Sequence, residues 1–174
     1  AAYEFKPLNY NSNTVFFTHY DMVQAEINWR RGADMFDIGQ MPTIRAFNEY
    51  FGGGMSSVVF QEIRESRALA YSTYAYYSQA SEKGKNDILL AYVGTQADKL
   101  NEAISAMNDL LTNMPANEES FGQAKQAILS SIEAERINKT DVFFSYLSAL
   151  DMGIQYDSRK AVYEAVSKMR FEDI

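Results

Sequence analysis

Arg64 and Tyr71 are side chains whose types and positions would allow the recognition of a carbonyl oxygen. Arg64 lies near the end of a predicted helix, and Tyr71 begins a β-prone run seven residues later. A guanidinium and a phenol both donate hydrogen bonds, so the two can converge on one carbonyl oxygen or oxyanion. They supply no nucleophile and no metal ligand, so they can stabilise charge or hold a peptide but cannot start a reaction. From the residues alone, pairing of Arg64 with Glu62 or Glu65 is the favoured alternative.

The other candidates for chemistry favour structural roles. His19 is the single histidine, and the chain has no cysteine. That composition excludes a zinc site built from two imidazoles, a thiol nucleophile and a disulfide framework. The run Gly52-Gly53-Gly54-Met55-Ser56-Ser57 lacks the lysine and the spacing of a phosphate-binding loop. Its glycines more simply end a helix and form a sharp turn, or they allow a close backbone approach.

Composition indicates an ordered domain without a nucleic-acid signature. The 174 residues fit one ordinary domain, and 47% of them are apolar. The net charge of −7 argues against nucleic-acid binding, which depends on basic surfaces. No apolar run approaches the roughly 20 residues of a membrane-spanning helix. We expect residues 1–13 to be a lead-in or linker and residues 14–174 to form a single domain.

Hydrophobic periodicity predicts the element order β, β, α, α, β, β, α, α, α, α. The clearest signal is the alternation of Val23, Ala25, Ile27 and Trp29, which is typical of a half-buried strand. The fold class is therefore α+β, a mainly antiparallel sheet with helices packed on one face. The predicted strands are 14–20, 23–30, 71–78 and 88–93. The predicted helices begin at Pro42, at Ser56 or Ser57, at the Thr95-x-x-Asp98 capping box, and near Asn117, Thr140 and Ser158.

Tyrosines crowd the third predicted strand. Strand alternation places Tyr71 and Tyr77 on one face and Tyr74 and Tyr76 on the other. Aromatic pairs across a hairpin ordinarily stabilise a sheet, so most of this group is expected to be structural. Tyr71 differs because it stands at the start of the strand, directly after the helix that bears Arg64.

The long motif between Phe47 and Ser72 reads FNEYFGGGMSSVVFQEIRESRALAYS. It resembles the insulinase/pitrilysin family of zinc metallopeptidases, in the C-terminal, non-zinc domain of that architecture. The likeness extends from about Val15 to Ile174. It implies the β-α-β-β-α-α type of fold seen in mitochondrial processing peptidase-like metallohydrolases. Ser66 and Ala68 depart from the Lys and Gly that the family often has.

The resemblance implies a division of labour between two halves. An N-terminal half of the parent, or a partner subunit, carries a His-x-x-Glu-His zinc site, which this chain lacks. The present segment then has no metal ligands and no cofactor, and is inert in isolation. Tyr71 takes a catalytic, oxyanion-stabilising role, and Arg64 and Tyr71 bind the peptide substrate. The edge of the sheet offers a further site for an extended peptide.

The resemblance also sets the remaining expectations. The parent is a metalloprotease, a hydrolase of the bacterial periplasm or cell envelope, and the present domain lacks its last piece at the C-terminus. The first alternative is a non-catalytic subunit of the same family that binds a peptide or a partner protein. The second is an unrelated α+β binding domain in which Arg64 and Tyr71 are merely structural.

Overall fold

The computed structural model describes residues 12–174, an antiparallel three-stranded sheet with helices on one face. The α+β class predicted from the sequence is thereby confirmed. None of the helices in this range is long and apolar enough to cross a membrane. The strands are β1 (Gln24–Met35), β2 (Ser72–Ser78) and β3 (Asn86–Gln96). The helices are α1 (Met41–Phe51), a π-helix (Phe60–Ser66), α2 (Leu100–Thr112), α3 (Glu118–Ala134), α4 (Lys139–Asp151) and α5 (Ser158–Lys168), with 3₁₀ turns at Ile38–Gln40, Ala97–Lys99 and Phe171–Asp173.

The central strand is β3, in the order β1-β3-β2. Ile27 of β1 and Thr73 of β2 both lie opposite Val93, which is fully buried. Residues directly opposite share a face, so this row points towards the helices. The neighbouring row, with Asn28 and Tyr74 beside Tyr92, points to the other face. The predicted alternation is therefore confirmed from Ala25 to Trp29, whereas Val23 precedes β1 and is 84% exposed.

The first predicted strand, 14–20, is absent from the structure. Its residues have no strand pairing, and Phe16 and Phe17 are 82% and 78% exposed. An apolar, β-branched run becomes a strand only where a neighbour accepts its backbone hydrogen bonds, and no neighbouring strand lies beside it within residues 12–174. The prediction for 14–20 was therefore wrong.

The predicted capping box at Thr95 was also wrong. Thr95 belongs to β3, and α2 begins only at Leu100, after a 3₁₀ turn. The Thr95 side chain is fully buried, and its hydroxyl has no hydrogen-bond partner among the described residues. The strand continues through the position that the pattern assigns to a cap, because Ala25 of β1 still pairs with Thr95.

Helix α1 is fastened to β2 by the first residues of the Phe47–Ser72 motif. The Asn48 side chain accepts a hydrogen bond from Tyr77 N at 2.6 Å and donates one to Tyr77 O at 2.9 Å. It therefore satisfies the outer edge of β2 as a neighbouring strand would. A Cβ on Gly52 would lie 1.8 Å from the carbonyl oxygen of Ala75, so only glycine permits this approach.

A buried tyrosine joins the helices beneath the sheet. Tyr50 is 1% exposed, and its hydroxyl donates to Pro115 O at 2.5 Å and accepts from Asn117 N at 3.1 Å. Its ring packs edge-on against Phe121 and Phe171. These contacts fix α1 against the connection between α2 and α3, and burial raises the pKa of Tyr50.

The later helices begin near the positions that the sequence predicts. Asn117, Asn138 and Asp157 each accept a backbone N–H at the start of α3, α4 and α5. Helix α4 is followed by Gly153, whose φ of +74° is the left-handed conformation that favours glycine. Large apolar side chains on α4 remain exposed, among them Phe143 and Phe144.

Candidate functional site

The helix that carries Arg64 is held by a serine turn at its start. Ser57 Oγ donates to Gly54 O at 2.6 Å and accepts from Phe60 N at 3.4 Å. Of the two serines that the sequence offered, Ser57 is thus the one that closes the turn. Val59 and Ile63 are fully buried on the inner side of the helix. Most of the helix, Phe60–Ser66, has π-helical pairing, a rare geometry that is often found at functional sites.

Arg64 lies at the surface of this helix. Its side chain is 46% exposed, its guanidinium lies 4.8 Å from the centre of the Phe60 ring, and Nε is 3.9 Å from Glu65 Oε1. The pairing of Arg64 with Glu65, which the sequence indicates as a structural alternative, is therefore present but loose. Glu62 lies 3.9 Å from Arg67 instead. A separation of 3.9 Å is too long for a hydrogen bond, so the guanidinium donors stay available to another acceptor.

The corner between the π-helix and β2 contains a residue in the left-handed region. Ala68 has a φ of +49°, which explains physically why a glycine suits this position. Leu69 N donates to Ile63 O at 2.9 Å, and Lys99 Nζ lies 3.3 Å from Ala68 O. Leu69 is buried, so the corner is anchored on the core while its neighbours face outwards.

Tyr71 stands just before β2 and is 53% exposed. Its backbone N–H donates to Gly94 O at 2.9 Å, and its hydroxyl accepts a hydrogen bond from Gln96 Nε2 at 2.9 Å. Arg64 and Tyr71 thus lie on adjoining elements, both exposed. Within residues 12–174 no hydrogen bond joins their side chains to each other. Their roles in binding and catalysis remain a prediction.

Gln96 is the neighbour of Tyr71 that the sequence analysis missed. It ends β3, 25 residues beyond Tyr71, so no local spacing links the two residues. Alternation along β3 places Gln96 on the same face as Gly94 and Tyr92. The sequence grouped Tyr71 with Tyr77 by strand alternation, but Tyr71 precedes β2 and is not bound by that pattern.

The face of the sheet away from the helices carries a cluster of tyrosines. Tyr74 stacks on Tyr92 at 5.1 Å and lies 5.9 Å from Tyr76, measured between ring centroids. The Tyr92 hydroxyl lies over Gly94, where a Cβ would approach it to 2.7 Å. Burial raises the pKa of Tyr92, and the charge of Glu26 adds to that effect.

The described residues do not form a zinc site. No three His, Cys, Asp or Glu side chains in residues 12–174 converge as metal ligands. His19 is exposed in the segment that precedes β1. A metal that acts beside Arg64 or Tyr71 would therefore need ligands from outside the described part of the chain. Two pockets lie elsewhere, one between α3 and α5 and one between α3 and the residues that follow α5, and neither is lined by Arg64 or Tyr71.

Comparison with known sequences shows that this chain is similar to peptidase-related domains. The profile of the family described as "Peptidase M16 inactive domain" matches residues 4–128. A protein of Bacillus subtilis (strain 168), called an uncharacterized zinc protease, YmxG, is 33% identical over 94 residues, which are 50% of this chain and 22% of that protein. An uncharacterized zinc protease of Rickettsia felis is 30% identical over 135 residues, 71% of this chain and 30% of that protein. The chain thus spans less than a third of either relative.

Solved structures share the fold at low sequence identity. The peptidase M16 inactive domain from Pseudomonas fluorescens superposes with a TM-score of 0.69 at 16% identity, over 88% of this chain and 36% of that one. The periplasmic protease PqqL from Escherichia coli has a TM-score of 0.64 at 16% identity, over 88% of this chain and 17% of that one. At this identity the likeness concerns the fold alone.

Proposed function

This chain belongs to the peptidase M16 inactive-domain family, and we propose that it supplies the non-metal side of a zinc peptidase site. Arg64 and Tyr71 bind the peptide backbone there, and zinc is held by another domain of the parent or by a partner subunit. The observation that carries the proposal is the exposure of both donors at one helix-to-strand corner. At this corner both donors can reach a peptide without disturbing the core.

Each side chain has a distinct part. The Tyr71 hydroxyl donates a hydrogen bond to the scissile carbonyl oxygen, which gains negative charge as the carbonyl is attacked. The Arg64 guanidinium donates to carbonyl oxygens of the neighbouring peptide backbone, and its loose pair with Glu65 yields to them. Neither group abstracts a proton or attacks carbon, so the chain alone is inert towards peptides.

The names of similar proteins support the proposal that the parent is a zinc protease. The relatives in Bacillus subtilis and Rickettsia felis are named zinc proteases. A periplasmic or cell-envelope location for the parent is part of this proposal and follows from the family resemblance; the fold neighbour PqqL is named a periplasmic protease. On β2, the edge of the sheet has fewer free backbone groups for pairing with an extended peptide. Asn48 already forms hydrogen bonds with the backbone N–H and C=O of Tyr77.

A matched pair of arginines tests the proposal. Arg64 and Arg67 have equally exposed side chains, and each lies 3.9 Å from a glutamate. In the assembly of this chain with its zinc-bearing half, Arg64→Lys should raise KM for a peptide about tenfold through loss of a bidentate donor. Arg67→Lys should leave KM unchanged. Equal effects of the two substitutions would contradict the proposal.

A second candidate function is a non-catalytic subunit of the same family that binds a partner protein. It is favoured by the exposed apolar side chains of α4, where Phe143 and Phe144 are 58% and 60% exposed. In this case the chain would still assemble with its partner protein, but the assembly would cleave no peptide. Absence of cleavage by a wild-type assembly loaded with zinc would decide for this alternative.

A further inference from the structure

The Tyr71 side chain is held by a single partner in the described part of the chain. Gln96 Nε2 lies 2.9 Å from Tyr71 Oη, and the amide acts as the donor. The Tyr71 backbone is fixed to the same strand end, since its N–H donates to Gly94 O at 2.9 Å. The backbone N–H and the hydroxyl of Tyr71 are therefore both hydrogen-bonded to the last residues of β3.

The direction of this hydrogen bond decides what the phenol can do. A phenol has one O–H donor and also accepts hydrogen bonds at its oxygen. Because Gln96 supplies the proton in its bond to Tyr71, the hydroxyl proton of Tyr71 remains free for a third group. An acceptor at position 96 would instead capture that proton and turn the hydroxyl away from any ligand.

We propose that Gln96 is a positioning residue, which holds the Tyr71 phenol at the corner and keeps its O–H directed to the substrate carbonyl oxygen. This inference rests on the proposed function of Tyr71. Tyr71 is half-exposed, and the Gln96 amide is the hydrogen-bond partner that fixes the position of its hydroxyl. A positioned donor acts mainly in the transition state, so loss of Gln96 should lower kcat and leave KM nearly unchanged.

Two substitutions at one position separate positioning from simple stability. Gln96→Ala removes the donor and should lower kcat about threefold to tenfold, the worth of one hydrogen bond. Gln96→Glu keeps the size but presents only acceptors, so it should lower kcat about a hundredfold, close to the loss of an oxyanion donor. Gln123, which is exposed on α3, provides the control. Gln123→Glu introduces the same charge and should leave kcat unchanged.

A spectroscopic readout does not depend on catalysis. Tyrosines labelled with carbon-13 at the ζ position report the hydrogen bonding of each phenol, and Tyr71→Phe identifies the Tyr71 signal by its loss. Gln96→Glu should move this resonance because the phenol changes from acceptor to donor, whereas Gln123→Glu should not. An unmoved Tyr71 resonance in Gln96→Glu would overturn the inference.

The kinetic outcomes distinguish the two proposals. If Tyr71→Phe keeps full turnover, or if the wild-type assembly cleaves nothing, the proposed function and this inference fail together. If Tyr71→Phe loses turnover while both Gln96 variants keep it, only the role of Gln96 is refuted. The double variant Tyr71→Phe with Gln96→Glu should be no slower than Tyr71→Phe alone, since both changes act through one hydroxyl. Additive losses would overturn the inference.

Discussion

Replacing Asn48 by alanine should loosen the join between α1 and β2. The two hydrogen bonds between its amide and the Tyr77 backbone, at 2.6 and 2.9 Å, are both lost. A net worth of about 0.5–1.5 kcal/mol for each bond predicts a loss of about 1–3 kcal/mol in the free energy of unfolding. For a domain of this size that corresponds to about 2–4 °C in Tm for each kcal/mol.

The isosteric change Asn48→Asp should lower the free energy of unfolding by an amount that depends on pH. One carboxylate oxygen still accepts from Tyr77 N, but the other faces the carbonyl oxygen of Tyr77 and repels it. Folding therefore raises the pKa of the new carboxyl. The protonated form can donate again, so the deficit is small below about pH 4 and grows as pH rises through the raised pKa.

Urea unfolding followed by circular dichroism, at neutral and acidic pH, measures both effects. Asn13→Asp, at an exposed position before β1, controls for the added charge. Its unfolding midpoint should follow that of the wild type. An Asn48→Ala variant that unfolds at the wild-type midpoint would refute the claim that this amide closes the edge of β2.

Three further changes test the packing and the electrostatics of the fold. Ala68→Gly should stabilise the protein by about 0.5–1 kcal/mol, because glycine accepts the left-handed φ of +49° without strain; a lower Tm would contradict this. Gly52→Ala should destabilise the fold by more than about 3 kcal/mol, because the new methyl group would overlap Ala75 O; urea unfolding near the wild-type midpoint would contradict the packing. The hydrogen bond from Arg159 lowers the pKa of Asp157, so this carboxylate stabilises the fold above about pH 4 and the contribution is lost as pH falls through the lowered pKa. Asp157→Asn should remove that part of the pH dependence of unfolding, and an unchanged slope would show that the ion pair does not contribute.

The sequence predicts the fold well where a local pattern has one structural solution. The alternation of Ile27 and Trp29 fits only a half-buried strand, and β1 shows it. The pattern fails where the outcome depends on a neighbour. Residues 14–20 are β-prone but lack a strand partner among the described residues. Thr95 fits the capping-box pattern, yet its pairing with Ala25 keeps it in β3.

The residues of the candidate site could likewise be predicted from the sequence only in part. Arg64 and Tyr71 stand seven residues apart within one motif, so a resemblance in the sequence was enough to select them. Gln96 reaches Tyr71 only because β2 and β3 are antiparallel neighbours. The contact of Asn48 with Tyr77 likewise depends on how α1 packs against β2. Such contacts follow from the tertiary fold, and no spacing in the sequence encodes them.

The central claim is that Arg64 and Tyr71 meet a peptide at the corner between the π-helix and β2. A crystal structure of this chain assembled with its zinc-bearing half, with a phosphinic peptide bound as an analogue of the tetrahedral intermediate, tests it most directly. We expect Tyr71 Oη at about 2.7–3.1 Å from a phosphinyl oxygen, and the Arg64 guanidinium at hydrogen-bond distance from a neighbouring peptide carbonyl. A peptide bound elsewhere, with Tyr71 and Arg64 facing solvent, would contradict it.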